Sequence, residues 1–311
     1  MEISVLSGPS PVNRAFDPAA AGRKSQWRSA LRRLPWPALA LAGLSALSLP
    51  TQATAAGDKV ACPEIEGLNV ASLKRSTLVG ELHGTNESPA FVAALACHIL
   101  TSGHTLTMAL EIPRTEQDRI RSYLLSNGSA ADRAAMLKGA FWAIDKADGR
   151  SSAAMVNLIE RLRYLRSVKL PLIDVVTIDV AAGEDDAAND RDRLMSQAFD
   201  RITKTPSDYV VGLVGNYHAK KTDGAPWNPR ARFMAGYLPA SALTTLDVGY
   251  SGGAAWICVP ECGVSEFGAS SKPAAAEGFS LRFVNKDGGA YDGIYNVGRL
   301  SPSLPARSGG G

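Results

Sequence analysis

Between residues 76 and 215, short apolar runs alternate with stretches whose apolar residues recur at helical spacing. Thr77-Leu78-Val79 ends at Gly80 and reads as a buried strand. Ser88-Pro89 opens a helix, with Ser as N-cap and Pro at its first position. Phe91, Leu95, His98 and Ile99 share one face of it, and Gly103 ends it. Leu106 to Ile112 is a second strand, closed by Pro113. A helix from Thr115 to about Ser126, a short one over Ala130–Leu137 and a loop from Phe141 to Arg150 follow. Ser151 or Ser152 then caps a longer helix to about Ser167, with Met155, Leu158, Ile159, Leu162 and Leu165 on one face. Leu172–Val180 is the third strand, Arg191–Thr203 a helix, and Tyr209–Val214 a fourth strand ending at Gly215. The helical signal then fades, and Leu243–Val248, Ala255–Val259 and Phe279–Val284 read as short β runs.

Strands alternating with helices predict an α/β fold with a largely parallel central sheet flanked by helices, and extra strands in the C-terminal third. Ligands of such sheets lie beyond the carboxyl ends of the strands. The polar loops fall there: Gly80–Glu87, Glu111–Arg114, Asp179 and Gly215–Lys220. Two of them carry the same signature, Gly80-Glu81-Leu82-His83 and Gly215-Asn216-Tyr217-His218. Glycine at a strand exit permits positive φ and close backbone approach. Two such loops present two imidazoles to one point, with Glu81, Glu87 and Glu111 supplying carboxylates. Two His with carboxylates suit Zn²⁺, Mn²⁺ or Co²⁺ and the activation of bound water. Without a metal the same groups serve as general base and acid. Trp142 and Arg150 are candidate substrate-binding residues, as an apolar wall and a carboxylate clamp, with an Asp148–Arg150 turn as the plainer alternative. Asn216 is a candidate to position water or polarise a carbonyl, and Tyr217 serves equally as packing. His98 and His104 read as structural or surface residues, and Glu184-Asp185-Asp186 as a solvated acidic run without Ca²⁺-loop spacing. No G-x-S-x-G elbow, P-loop or dinucleotide fingerprint is present.

The N-terminus changes the picture of charge and compartment. Arg23 to Arg33 is a basic stretch, Leu34–Leu49 an Ala/Leu-rich apolar one, and Ala53-Thr54-Ala55 a small-residue cleavage site, so residues 1–55 read as a leader and signal peptide with cleavage before Ala56. An uncleaved anchor is the rival, but the apolar run is short and Pro-containing. Removing these residues leaves 27 of the 33 basic and 28 of the 30 acidic residues, a net charge of −1 in place of +3. Nothing then points to a nucleic-acid footprint, which would need a basic face or stripe. The mature chain, residues 56–300, reads as one domain without a stable membrane anchor, and residues 301–311 as a disordered Pro/Ser/Gly-rich tail. Its four cysteines, in an oxidising compartment, favour the pairs Cys62–Cys97 and Cys258–Cys262, with a Cys₂His₂ metal site as the rival. The sequence leaves the oligomeric state open.

The segments LVGELHGTNESPAF, ALEIPRTEQDRIRSYL and VGLVGNYHAKK, in that order, resemble the ChaN-like, Tiki/TraB-related superfamily, which includes the erythromycin esterases. The resemblance covers Ser76 to Leu238. It implies three different outcomes. Tiki-like members are metal-dependent proteases; carried across, His83, His218 and Glu111 are the metal ligands, with Glu81 or Glu87 as further ligand or base. Erythromycin esterases open a lactone with His and Glu of the first loop. ChaN-like members bind haem through a Tyr, for which Tyr123, Tyr164 and Tyr217 are the candidates. The expectation is an exported, metal-dependent hydrolase of an amide or ester, acting on a peptide or ester; the alternative is a non-catalytic haem- or metal-binding protein of iron uptake.

Overall fold

The computed structural model describes residues 60–143, 148–180, 187–258, 261–272, 277–284 and 289–307. The predicted signal segment and the run Glu184–Asp186 lie outside the described residues. Eight strands form one sheet. In chain order they are β1 (Ile65–Glu66), β2 (Ser76–Glu81), β3 (Leu106–Pro113), β4 (Leu172–Asp179), β5 (Tyr209–Gly215), β6 (Leu243–Gly249), β9 (Phe279–Phe283) and β10 (Gly293–Asn296). Between β6 and β9, β7 (Gly253–Cys258) and β8 (Cys262–Phe267) form a separate antiparallel hairpin. The sheet order is β1-β9-β10-β6-β2-β5-β3-β4, parallel throughout except at β9–β10. The α/β expectation and the late strands are therefore observed, with β6 joining the parallel core of the sheet.

The central strands are apolar without alternation because both of their faces are covered. Successive side chains point to opposite faces, so Leu78 and Val79, neighbours on β2, enter different cores. Val79 packs with residues of α1 (Glu87–Thr101), α2 (Gln117–Leu125) and α4 (Ala153–Ser167), including Phe91, Leu95, Ile120 and Leu162. Leu78 packs with Met195 and Phe199 of α5 (Ala187–Thr203) and with Met234. α3 (Ala130–Met136) is a short helix closed by a Ser129–Asp132 capping box. α1 starts one residue before the predicted cap, at Glu87, and the buried Ser88 hydroxyl instead meets the Tyr295 hydroxyl at 3.0 Å. Both expected disulfides form, Cys62–Cys97 and Cys258–Cys262, which removes the Cys₂His₂ alternative. His98 bonds the Pro63 carbonyl at 2.8 Å, and His104 packs edge-on against Tyr209, both structural roles. Among the described residues no helix is long and apolar enough to cross a membrane.

The C-terminal segment departs from the expected disordered tail over residues 301–307. It is a strap across the starts of α1 and α4. Asn86 N donates to Ser301 O, Ser303 N to Gly84 O, Ala153 N to Leu304 O and Ala306 N to Ser151 O, at 2.8–3.1 Å. Ser303 and Pro305 are buried. Backbone hydrogen bonding outweighs the low-complexity composition here, because the helix starts supply N–H donors and the residues just before them supply carbonyl acceptors.

β4 is an edge of the sheet, and exposed edges invite pairing with another chain. The side chain of Gln117 takes the place of a neighbouring strand. Its Nε2 donates to Val175 O at 2.9 Å, and its Oε1 accepts from Thr177 N at 2.8 Å and Thr177 Oγ1 at 3.1 Å. Gln117→Ala is expected to cost about 1–3 kcal/mol in unfolding free energy and to open the edge. Urea denaturation reads the first effect, and concentration-dependent elution in size-exclusion chromatography the second.

Candidate active site

The neighbouring strands β2, β5, β3 and β4 deliver, at their carboxyl ends, Glu81 and His83, then Gly215 and His218, then Glu111, then Asp179. The two G-x-x-H glycines have no positive φ; the positive value belongs to Gly84, at +75°. Their purpose is room. A Cβ on Gly80 would lie 2.8 Å from Asn216 Cα, and one on Gly215 would lie 2.8 Å from His83 Nε2. Each loop thus presses on the space vacated by the other's glycine. Asn216 N donates to Glu81 O at 2.9 Å and fixes their register. Gly84 and Gly149 need both space and left-handed backbone, because a Cβ at either would collide with Trp256 O of the β7–β8 hairpin. Trp256 N donates to Gly84 O at 2.9 Å, so the hairpin holds the His83 loop from behind.

Each imidazole has its own carboxylate. His83 Nδ1 lies 2.8 Å from Glu81 Oε1, and His218 Nδ1 lies 2.6 Å from Asp192 Oδ1. Asp192 Oδ1 also accepts from Met234 N at 2.7 Å. Both Nε2 atoms face Glu111 and sit 3.6 Å from its oxygens. Glu111 is buried and accepts from Gly215 N at 2.7 Å and Arg191 Nη2 at 2.5 Å. Arg191 reaches Asp179 through Nε at 2.8 Å and Nη2 at 2.9 Å, and its Nη1 lies 3.0 Å from His218 Nε2. A guanidinium only donates, so that nitrogen accepts, and the network assigns the ring proton to Nδ1, toward Asp192. Arg150 Nη1 bonds Asp179 Oδ2 at 2.6 Å and approaches Glu111 to 3.6 Å, while its other nitrogens hold Asp148. The Asp148–Arg150 turn and a role at the site are therefore both present.

These contacts set the charges. Burial alone would lower the His83 pKa, but the charge of Glu111 and hydrogen bonds to Glu111 and Glu81 outweigh it and push it up to about 10. Burial opposes ionisation of Glu111, yet the two imidazoles and Arg191 hold its pKa well below the usual carboxylate range. Arg191 and Arg150 are desolvated, and their carboxylate partners hold them protonated.

The expected metal ligands His83, His218 and Glu111 are brought together, but the set does not fit a divalent cation. The His218 Nε2 lone pair faces the Arg191 guanidinium, and Arg191 and Arg150 already neutralise the carboxylates. Among the described residues no group of three His, Cys, Asp or Glu side chains is arranged to hold a metal ion.

Other expectations are redirected. Glu87 leaves the site and accepts from Ser301 N at 3.0 Å and from the Ser301 hydroxyl, fastening the C-terminal strap. Trp142 is no substrate wall: it is fully buried and packs edge-on against Phe141. Asn216 is half-buried, its side chain directed to Asp247 and its carbonyl accepting from the Tyr291 hydroxyl at 2.8 Å. Of the haem-ligand candidates, the Tyr123 hydroxyl is bonded to Glu160 at 2.6 Å, Tyr164 stacks with Arg161 on α4, and Tyr217 packs against Trp227 and Phe233. The sequence reading missed Arg191 and Asp192 and gave Asp179 no role. The available signal was an Arg-Asp pair near the start of a helix that follows a site-facing strand.

No protein-family model matches the chain, and no curated protein matches its sequence. Solved structures share its fold. An erythromycin esterase, EreC, solved as a variant in its open conformation, superposes with TM-score 0.57 at 12% identity, over 74% of this chain and 92% of that one. A protein from Bacillus cereus superposes with TM-score 0.50 at 9% identity, over 75% and 90%. ChaN of Campylobacter jejuni, solved with cofacial haem, gives TM-score 0.34 at 9% identity, over 73% and 88%, too distant a likeness to bear on haem here. The fold is the one the sequence resemblance implied.

Because the His83 pKa rises on folding from its ordinary 6.5 to about 10, its proton stabilises the fold fully below the lower value, and the contribution is lost as pH climbs through the higher. His83→Gln should therefore narrow its stability gap from the wild type between pH 7 and pH 10.5, read from urea midpoints. Gly215→Ala should displace the His83 ring and move its Cε1–H resonance while leaving the far-UV circular dichroism unchanged.

Proposed function

We propose that this chain hydrolyses an ester or amide bond by metal-independent general acid–base catalysis. The observation that carries the reading is the pair of carboxylate-held imidazoles, His83 with Glu81 and His218 with Asp192, both turned toward Glu111. A ring whose Nδ1–H is fixed by a carboxylate offers its Nε2 lone pair as a base. His218 takes this role. Water reaches its Nε2 by replacing one Arg191 contact, while Arg191 keeps its bonds to Asp179 and Glu111. His83, protonated near neutral pH, is the acid.

In the step, His218 Nε2 takes a proton from water as the water oxygen adds to the carbonyl carbon. The carbonyl π pair moves to oxygen. When the tetrahedral intermediate collapses, His83 Nε2–H protonates the leaving alkoxide or amine, and acid and alcohol or amine depart. Glu111 remains ionised and stabilises whichever ring carries positive charge. Arg150 and Arg191 hold Glu111 and Asp179 in place.

Export is proposed alongside, from the signal-like residues 1–55 and supported by the two disulfides, which persist in oxidising compartments. The fold shared with an erythromycin esterase is consistent with ester chemistry.

The test is hydrolysis of p-nitrophenyl acetate and butyrate, and of a peptide library read by mass spectrometry, in EDTA. His83→Asn and His218→Asn should each lower kcat/KM by roughly 10²–10⁴, and wild-type activity should fall as pH rises through about 10, where His83 loses its proton. Activity abolished by EDTA and restored by zinc would sink the metal-free mechanism. Asn variants as active as the wild type would remove both rings from it.

A further inference from the structure

The β7–β8 hairpin stands apart from the main sheet as a two-stranded ribbon. At its Gly253 end it is tied to the chain before the strap. Leu300 N donates to Gly252 O at 2.8 Å, and Ala254 N to Leu300 O at 3.1 Å. Further along β7, Trp256 N donates to Gly84 O at 2.9 Å, and Trp256 O fills the space that a side chain on Gly84 or Gly149 would need. Gly84 directly follows His83, so the Trp256 backbone is the hairpin's contact with the catalytic loop. β8 is the outer strand: Cys262, Val264 and Glu266 are exposed, and among the described residues no third strand pairs with it. A ribbon of two strands is marginal in water by itself, so its order depends on what closes its ends.

Beyond Trp256 the closure is covalent. Cys258 and Cys262 stand opposite each other in the last register pair of the ladder and are joined as a disulfide. Only the pair Ile257–Gly263 separates that bond from the pair containing Trp256. Gly263 gives this intervening pair no cross-strand side-chain contact, which leaves the disulfide as the restraint on the strands beside Trp256.

The two disulfides of the chain differ in access. Cys97 is fully buried on α1, and Cys62 is half-buried against the core. Cys262 is exposed and Cys258 half-buried. Exchange rates follow access to the attacked sulfur, so a thiol meets the hairpin bond at Cys262 with the domain still folded.

We propose that Cys258–Cys262 is a thiol–disulfide exchange site, with a dithiol as its partner, whose state sets the order of the His83 loop. A thiolate of the dithiol attacks the Cys262 sulfur. The bond to Cys258 breaks, and the Cys258 sulfur leaves with the bonding pair and takes up a proton. The partner's second thiol gives up its proton and displaces the Cys262 sulfur from the mixed disulfide, and that sulfur is protonated in turn. The two cysteines end as thiols and the dithiol as a disulfide. The reverse exchange closes the bond. In the open state the strands fray back to Trp256, and His83 loses its support from behind. Where activity is concerned the inference rests on the hydrolase reading; the effect on the His83 ring does not.

The full chain is equilibrated in graded ratios of reduced to oxidised dithiothreitol, alkylated with N-ethylmaleimide and mapped by peptide mass spectrometry. The His83 Cε1–H resonance, assigned by its absence in His83→Asn, and p-nitrophenyl acetate hydrolysis are followed in parallel. Cys258 and Cys262 should be alkylated at ratios that leave Cys62–Cys97 closed. Over the same ratios the His83 resonance should move, kcat/KM should fall about fivefold or more, and oxidised dithiothreitol should reverse both. Cys258→Ala/Cys262→Ala should show the open-state resonance with wild-type far-UV circular dichroism and no further response to dithiothreitol; if it does not fold, the wild-type titration decides alone. Opening of Cys62–Cys97 first, or of both bonds together, would overturn the proposal, as would a His83 resonance indifferent to the open bond. A resonance that responds in a chain without esterase activity would remove the hydrolase alone. Hydrolysis undiminished with the bond open would remove the exchange site's control and leave the hydrolase standing.

Discussion

The buried carboxylate of Glu111 is the constraint on which the rest of the site depends. A lone carboxylate at that depth would be strongly destabilising. It is tolerated because a backbone N–H, a guanidinium and two imidazoles converge on it from β5, α5 and the loop after β2. The sheet order makes this possible: β3 lies between β5 and β4, so a side chain at its carboxyl end is flanked on both sides by strand ends that can carry partners. Remove the carboxylate and a backbone N–H, a guanidinium and the His83 ring lose their common acceptor.

Space is the second constraint. Two loops that bring imidazoles to one carboxylate must pass within van der Waals distance of each other, and each does so where the other lacks a side chain. The His83 loop is then held from behind by the β7–β8 hairpin and by the C-terminal strap, through Gly84 O and N-terminal contacts of α1. These elements come from the last quarter of the chain; their backbones bond the His83 loop at Gly84 O, and the Glu87 carboxylate fastens the strap at Ser301. Local order at the site is therefore tied to long-range contacts.

What the sequence made legible follows from this. The central strands were readable because burial on both faces leaves uninterrupted apolar runs. β1, β8 and β10 were not, being short or alternating with exposure. His83, His218 and Glu111 were readable as candidates because polar groups in such sheets gather at carboxyl ends, and Arg150 only as a candidate in the loop before α4. Arg191 and Asp192 were hidden, since charged residues on a helix usually face solvent, and only the docking of α5 against β4 and β5 turns them inward. Trp142 and Glu87 were misplaced for the converse reason. Each sits near the motifs in sequence, but one follows the short 3₁₀ turn into the core, and the other pairs with Ser301, more than two hundred residues away.

The two arginines beside Glu111 have a chemical consequence of their own. A metal would bring a bound hydroxide but would be lost to chelation and need deprotonated ligands. Guanidinium charge is permanent over the accessible pH range, and it arrives with the fold. Arg191 joins Glu111, Asp179 and His218, so docking α5 completes the charge balance, while the adjacent Asp192 sets the tautomer of His218 in the same event. Two consecutive residues on one helix thus supply the polar contacts of both nitrogens of the His218 ring. Glu111, Arg191 and Arg150 are each held in the ionised form by partners already in place when α5 docks.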